Sequence, residues 1–468
     1  MPPSKGTTGV TARLHFIPPP KLLAHGAMPP LSSLRELNAR PAAQAIKANL
    51  GWLALDKGLR LVLGLTVGTW VARYLGPADY GLLNYALALA SLLAVLPGLG
   101  LDGLVRRELV SETAPAPTLL GTVTVLRLAV GLVVYAALAS GALLFGHDAR
   151  LQQVMLYSGL LLFQPMLLTP DLWFQARMLS KHTVIAQNTA FVLSSLGRVA
   201  LILGHAPLPW FAALIIIDLG VTSVLLARTA ARLGCPWRGW RWDSTLARDL
   251  FSRAWPLLLS GLAVIIYLKI DQVMVKLLAG ATAAGHYAAA VKISEICYLG
   301  PVILASALFP AIVRAKAGHP ERYTRRIRQY FNLSAGLAYL AAVPIAFAAP
   351  AIIRLLYGAA YAPSGPVLAV HLWTLVFVAQ GVARQEWLLG EGLMRFSLAA
   401  TASGAALNVA LNFWLIPRQG ALGAAVATVI ALAVSDVLSS LLWRRTREAG
   451  WWQLRALFGW WKLPPEPS

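Results

Sequence analysis

Cysteine is nearly missing from this chain, with Cys235 and Cys297 as the sole representatives in 468 residues. Two thiols give neither a disulfide framework nor a cysteine metal site. The eight histidines never fall at ligand spacing, so no metal site is expected. Charge is scarce too, at 13% of residues, and acid is scarcer, with 19 Asp and Glu against 40 Lys and Arg. Long polar stretches are also lacking. The longest internal one runs from about residue 230 to 253. Membrane polymerases, ligases and glycosyltransferases commonly need a sizeable extramembrane domain for sugar chemistry, and there is no room for one. The chain is read as a non-enzyme without a resident cofactor.

What fills the chain is apolar sequence. Hydrophobic residues make up 58% and the mean hydropathy is +0.65. Roughly twelve stretches, each long enough to cross a bilayer, run from Trp52 to Trp443. They fall at residues 52–75, 81–104, 119–145, 152–172, 183–204, 208–229, 254–279, 284–313, 329–356, 364–388, 393–416 and 420–443. Hydrocarbon leaves every backbone amide to be satisfied within the chain, and no two-residue alternation supports a barrel. The expected fold is therefore all-α: a polytopic membrane protein of about twelve transmembrane helices in two six-helix lobes.

The net charge of +21 is a matter of topology. Loop cations mark the cytoplasmic side. One side of the twelve spans collects 29 Lys and Arg, the other only Arg73, Arg150, Arg354 and Arg418. Both termini are thus expected in the cytoplasm, and no nucleic-acid partner is needed. The domains expected are a loose cytoplasmic tail (1–48, with Met28 as an alternative start), an N-lobe (49–230), a cytoplasmic interfacial linker (231–253), a C-lobe (254–443) and a cytoplasmic amphipathic tail (444–468). In the linker Trp237, Trp240 and Trp242 interleave with Arg238, Arg241 and Arg248, which suits a segment at the headgroup level in contact with membrane lipids. Trp451, Trp452, Trp460 and Trp461 with Arg455 and Lys462 suggest the same for the tail. Gly76, Gly81 and Ala86 recur 204 residues later as Gly280, Gly285 and Ala290. That echo is read as a parallel repeat of the two lobes.

Ionisable groups at membrane depth are the functional candidates, because they cost several kcal/mol unless they face a partner or water. Seven cations (Lys57, Arg60, Arg127, Arg198, Lys269, Lys276, Lys292) and five acids (Asp56, Asp218, Asp271, Glu295, Asp436) are read as lying at membrane depth. The excess implies a net-positive cavity and an anionic passenger. Lys57 and Arg60 share a helix face with Gly64 and Gly68, although an Asp56–Arg60 pair at i,i+4 would explain Arg60 structurally. The substrate-binding candidates are Arg60, Lys57, Lys269, Lys292, Arg127 and Arg198; the gating or coupling candidates are Asp271, Glu295 and Asp218. Prolines such as Pro97, Pro165, Pro256, Pro301 and Pro344 supply kinks.

The stretch Trp52 to Val110 carries Asp56-Lys57-Gly58-Leu59-Arg60, Ala72-Arg73-Tyr74-Leu75-Gly76-Pro77, Tyr80-Gly81-Leu82 and Leu99-Gly100-Leu101-Asp102-Gly103. It resembles the opening helices of bacterial O-antigen-type polysaccharide repeat-unit flippases, within the multidrug, oligosaccharidyl-lipid and polysaccharide exporter superfamily. Asp271-Gln272-Val273-Met274, Gly285-His286-Tyr287-Ala288-Ala289-Ala290 and Leu356-Tyr357-Gly358 extend the likeness over about residues 50 to 445. The resemblance implies a V-shaped pair of lobes that alternate access in the inner membrane of a bacterium. It implies a lipid-linked oligosaccharide passenger, carried on undecaprenyl diphosphate to the periplasmic leaflet, with polysaccharide assembly proteins as partners. Arg60, Lys57 and Lys269 would hold the diphosphate, and a proton or sodium gradient would supply coupling. Two relatives compete: a drug or cation antiporter, which should have a carboxylate-rich cavity, and a lipid-linked peptidoglycan precursor flippase.

The topology has a direct test. A cysteine at Ala281 should react with an impermeant thiol reagent in intact cells and one at Ser244 should not; the reverse pattern would invert the orientation.

Overall fold

The computed structural model describes residues 41–146, 148–318 and 320–459, with side chains from residue 58 onward except at 59, 145, 310, 311, 313, 315, 317, 318 and 320. The expected loose tail up to residue 40, the Met28 start, Trp460, Trp461 and Lys462 lie outside the described residues, as do the side chains of Asp56 and Lys57. Of a first unit, Met1–Leu50, only residues 41–50 are described, and they are helical. The second unit, Gly51–Ser468, contains the apolar spans and every candidate site residue.

Among the described residues there is no strand, as a chain that must satisfy its amides in hydrocarbon requires. Among the described residues, ten helices are long and apolar enough to cross a membrane. Two of these each run through two of the expected spans. Arg60–Gly98 has 39 residues and Ser244–Phe309 has 66, whereas about 20 residues span the apolar layer. Each breaks at a glycine. In α1 (Pro41–Leu93) Gly76 has φ 74° and ψ 170°, and in α2 (Ser244–Cys297) Gly280 has φ 89° and ψ 174°. That region of backbone space is essentially glycine's alone. Dividing both helices at these points reconciles ten apolar segments with twelve expected spans. The same break at positions 204 residues apart gives the sequence echo a backbone basis.

The echo continues into the contact between lobes. A Cβ added at Gly81 would lie 1.9 Å from the carbonyl oxygen of Ala281, and one at Gly285 would lie 1.9 Å from that of Pro77. Gly81 answers to Gly285 and Pro77 to Ala281 by the same 204-residue offset. The two backbones therefore cross in a reciprocal contact that no side chain permits. Around it Tyr361 Oη donates to the Ala72 carbonyl at 2.8 Å, and Tyr80 meets Tyr361 edge-on at 6.2 Å. The Arg73 guanidinium donates to the carbonyls of Leu356 at 2.8 Å and of Leu355. Those two carbonyls end the helix α3 (Pro320–Tyr357), where the terminal C=O groups have no partner along the helix and attract a cation. Farther along, Tyr85, Ala88 and Leu92 of α1 pack with Val273 of α2.

Within the linker, residues 244–253 are the first turns of α2, and between these and the helix that ends at Arg232 there is one helical turn, Trp237–Gly239. The Arg241 backbone packs on Gly121, where a Cβ would meet its carbonyl oxygen at 2.5 Å, and the Asp243 N–H donates to Thr122 Oγ1 at 3.1 Å. Asp243 then caps α2 by accepting from the N–H groups of Thr245 and Leu246. Its carboxyl is held below the usual range, first by the Thr245 hydroxyl and then by these N–H groups. The C-terminal helix α4 (Arg447–Gly459) packs one face on the bundle, where Trp452 and Ala456 join a core with Ile327, Tyr330 and Phe331, and leaves Trp451 and Phe458 exposed on the other.

Substituting Gly81 or Gly285 by valine overpacks the seam, a change that costs about 1–3 kcal/mol in a packed core. Spin labels at Ala78 and Ala359 should report a longer and broader distance in either variant than in the wild type; an unchanged distance would show that the seam has slack.

Candidate functional site

Six of the nine candidate residues gather where the lobes face each other. From the N-lobe, Arg60 donates to Gln187 Oε1 at 3.4 Å and lies 5.2 Å from the Phe191 ring centroid. The space beside it is uncrowded: a Cβ at Gly68 would meet nothing within 4 Å, and one at Gly64 only Phe191 at 3.8 Å. Asp218 is electrostatically close to both Arg198 and Arg60. From the C-lobe, Lys269 Nζ lies 3.2 Å from Glu295 Oε1. Lys292 has Glu295, Lys269 and, across the interface, Arg198 as charged neighbours. Among the described residues, four cations and two carboxylates thus form one belt with surplus positive charge. The Lys269–Glu295 pair is part-exposed, with side chains 28% and 35% accessible, and Lys292 is exposed. Lys276 takes no part; its ammonium sits 4.7 Å from the Tyr85 ring centroid.

Two candidates lie elsewhere. Arg127 is buried and bound to fixed partners: it donates to the Pro165 carbonyl at 2.8 Å and Thr169 Oγ1 at 3.4 Å, and pairs with Asp102. Such a guanidinium ties its helix to neighbouring segments of the N-lobe and is not part of the belt. Asp271 is buried deeper in the C-lobe, where it accepts from Tyr287 Oη (2.9 Å), Thr428 Oγ1 (2.6 Å) and Asn412 Nδ2 (2.7 Å). Three neutral donors surround it, and no cation is among them. Asn412 also donates to Asn408 Oδ1 at 2.9 Å, while Asn412 Oδ1 and Asn408 Nδ2 are buried without partners.

A further charged pair escapes sequence reasoning. The loop count includes Arg384, yet its guanidinium is 3% exposed. It donates to Asp436 Oδ1 at 3.2 Å, to Ser439 Oγ at 3.0 Å and to the Ser435 carbonyl. These acceptors lie on or beside a single π-helical turn, Val434–Leu438, a feature often found at functional positions. Asp436 fits because residue 381 is glycine, where a Cβ would come within 2.6 Å of its carboxylate. From α4, Gln453 Nε2 donates to the Asp436 carbonyl at 2.8 Å. The clue in the sequence is that Arg384 falls inside its own apolar stretch; Asn408 and Asn412, at i,i+4, are similarly legible as one polar helix face.

Asp271, Asp436 and Glu295 line one cavity of about 270 Å³ in the C-lobe, with Tyr267, Tyr287 and Tyr298. Glu295 therefore belongs to both the belt and the cavity. The arrangement suits an anion against the belt and a small cation or proton among the carboxylates; no group of three or more potential metal ligands occurs among the described residues.

Removing one partner of the buried pair should be costly. Arg384→Met is expected to destabilise the protein by about 3–5 kcal/mol, read from denaturant unfolding in detergent. Arg384→Met with Asp436→Asn should recover most of it; no recovery would mean that Arg384 acts through its serine contacts instead.

Known proteins agree with this architecture. The profile of a family described as "Polysaccharide biosynthesis protein" matches residues 46–316, and that of the MatE family matches residues 256–414. No curated protein sequence matches the chain. Among solved structures, an inward-facing multidrug resistance MATE family transporter of the MOP superfamily superposes with a TM-score of 0.63 at 17% identity, covering 84% of this chain and 95% of that one. The lipid II flippase MurJ in an inward closed conformation gives 0.64 at 13%, covering 88% and 91%. A MOP superfamily transporter from Pyrococcus furiosus, described by a reversed polarity of its binding pocket, gives 0.56 at 16%, covering 89% and 97%. At these identities the likeness is one of fold. The first family profile covers more than half of the chain, and it follows that this protein belongs to the polysaccharide biosynthesis protein family.

Proposed function

We propose that the protein is an alternating-access flippase that carries an oligosaccharide on undecaprenyl diphosphate from the cytoplasmic to the periplasmic leaflet of a bacterial inner membrane. The observation that carries this reading is the belt that the described residues form, Arg60, Arg198, Lys269 and Lys292 with Asp218 and Glu295. A diphosphate needs such a surplus, with the arginine fork matching its oxygens and lysine acting as a point charge.

Lys269 and Glu295 serve the switch. An anionic passenger competes with Glu295 for Lys269, and the pair then holds best in one state only, which is what lets a ligand bias an equilibrium. Asp271 is the coupling residue in this reading. A buried carboxylate among neutral donors either takes a proton or accepts a sodium ion together with the amide oxygens of Asn408 and Asn412. Membrane lipids surround the chain, and polysaccharide assembly proteins receive the product.

A second reading, a cation-coupled drug exporter, is favoured by one observation: two of the three carboxylates that line the C-lobe cavity, Asp271 and Glu295, fall in the region matched by the MatE profile, and Asp436 lies beyond it. One experiment separates the two. Arg60→Ala should lower outer-leaflet lipid-linked oligosaccharide at least tenfold at normal protein abundance, and Arg60→Lys should restore part of it. Lys269→Met and Glu295→Gln should each reduce transport at normal abundance, with the double variant no worse than either. Full activity of Arg60→Ala, or drug accumulation in its place, would favour the exporter. Loss of protein in step with activity would make the Lys269–Glu295 pair structural.

A further inference from the structure

At the end of the N-lobe that carries the seam, three connections converge: residues 74–79, the start of the helix Ala149–Gly159, and residues 205–210. They enclose a cavity of about 560 Å³ built from one lobe alone. Being built from one lobe, it keeps its shape when the lobes rock, and it is distinct from the inter-lobe belt. Its walls are held in place. Tyr74 Oη donates to the Ala206 carbonyl at 3.0 Å, and the Tyr74 ring centroid lies 6.4 Å from that of His205. His205 takes φ 52°, unusual for a residue with a side chain. Asp148 accepts from the Arg150 N–H at 2.8 Å and so sets the first turn of its helix.

The groups that line this cavity are unspent. Among the described residues, the side chains of Asp79, Arg150, Gln153 and Tyr157 make no hydrogen bond or ion pair, although all four border the same space. Together they offer an acceptor, a donor fork, an amide that does both and a phenol that does both. Asp79 and Arg150 cancel in charge. Trp210, 57% exposed, adds a broad apolar face with an N–H at its edge. Pockets that orient small ligands combine apolar walls with a few converging polar groups. A neutral set that donates and accepts in equal measure, next to flat aromatic surface, matches a pyranose, whose hydroxyls do both and whose C–H faces are apolar. It does not match a phosphate, which accepts only and needs positive charge.

We infer that this cavity is a saccharide-binding site on the periplasmic end of the N-lobe, which holds sugar units of the passenger's oligosaccharide apart from its diphosphate. The inference rests on the proposed function for the nature of the passenger and on the loop-charge topology for the side of the membrane. Tyr74 follows Arg73 directly, so the bound sugar sits one residue from the guanidinium that holds the seam on the carbonyls of Leu355 and Leu356.

The test uses full-length protein in detergent micelles and, as probe, the water-soluble oligosaccharide freed by mild acid from the lipid-linked pool of the expressing cells. Retention is read by equilibrium dialysis, with flipping by the wild type measured in parallel. Trp210→Ala and Gln153→Ala, both at exposed positions, should each weaken retention at least threefold and together at least tenfold, while Arg60→Ala leaves it unchanged. Inorganic pyrophosphate in excess should not displace the probe. If the wild type flips but retains no oligosaccharide, the site is wrong and the function stands. Retention that depends on Trp210 in a protein that does not flip upholds the site and overturns the function, and absence of both overturns both. Retention lost in Arg60→Ala but kept in Trp210→Ala puts the sugar in the inter-lobe belt, and displacement by pyrophosphate makes the cavity an anion site; either result refutes the inference.

Discussion

The approach of two backbones at Gly81 and Gly285 is the constraint on which the rest of this structure depends. Without a hydrophobic drive between helices in lipid, association comes from close packing and hydrogen bonds, and small residues allow the closest packing. Here each glycine receives the carbonyl of the opposite lobe. The contact is made once in each direction, so both lobes fix their relative position by the same local geometry. Arg73, Tyr361 and Tyr80 add polar and aromatic contacts around it. The contact between lobes continues along α1 and α2 at Tyr85, Ala88, Leu92 and Val273, and Gly100 packs on the Leu257–Leu258 backbone, while Lys292 at the belt is exposed.

Charge is divided between the two regions in a way that composition does not reveal. The cations face the interface, whereas the deepest acids, Asp271 and Asp436, are turned into the C-lobe. They differ in how burial is tolerated. Asp436 has a guanidinium beside it, while Asp271 has only hydroxyls and an amide. A buried ion pair is worth little to stability by itself but is expensive to break. A lone buried carboxylate must instead exchange a proton or a cation with its surroundings as conditions change. Glu295 joins the two regions, since it pairs with Lys269 on the interface and borders the acidic cavity behind it.

The all-α class, the apolar spans and the repeat were legible because each follows from local rules: length of apolar run, lack of alternation, and a glycine pattern at fixed offset. The membership of the belt was legible in part for the same reason. An ionisable residue inside an apolar run stands out wherever it is, and Arg60, Arg198, Lys269, Lys292, Asp218 and Glu295 were all of that kind. Which of them meet was not legible. Glu295 lies one turn from Lys292 in sequence, yet the 3.2 Å contact is to Lys269 on another limb. Arg127 stood out equally and turned inward to Asp102 and Pro165. Arg384 sat near the edge of its span, where a few residues separate a loop cation from a buried one. The docking of α4 was hidden because an amphipathic helix with tryptophans reads alike on lipid and on protein.

The π-helical turn at Val434–Leu438 has a meaning beyond its hydrogen bonds. An α-helix advances about 100° per residue, and a π-turn accommodates one residue more than its neighbours. Everything downstream is thereby rotated against everything upstream. The buried residues of the first part, such as Ala424, Thr428 and Ala431, and those of the second, Ser439 and Ser440, belong to two different helical stripes. A single wheel drawn through the whole span therefore assigns one half of it to the wrong face. The span behaves as two short helices with independent registers, and each can be retuned in evolution without turning the other.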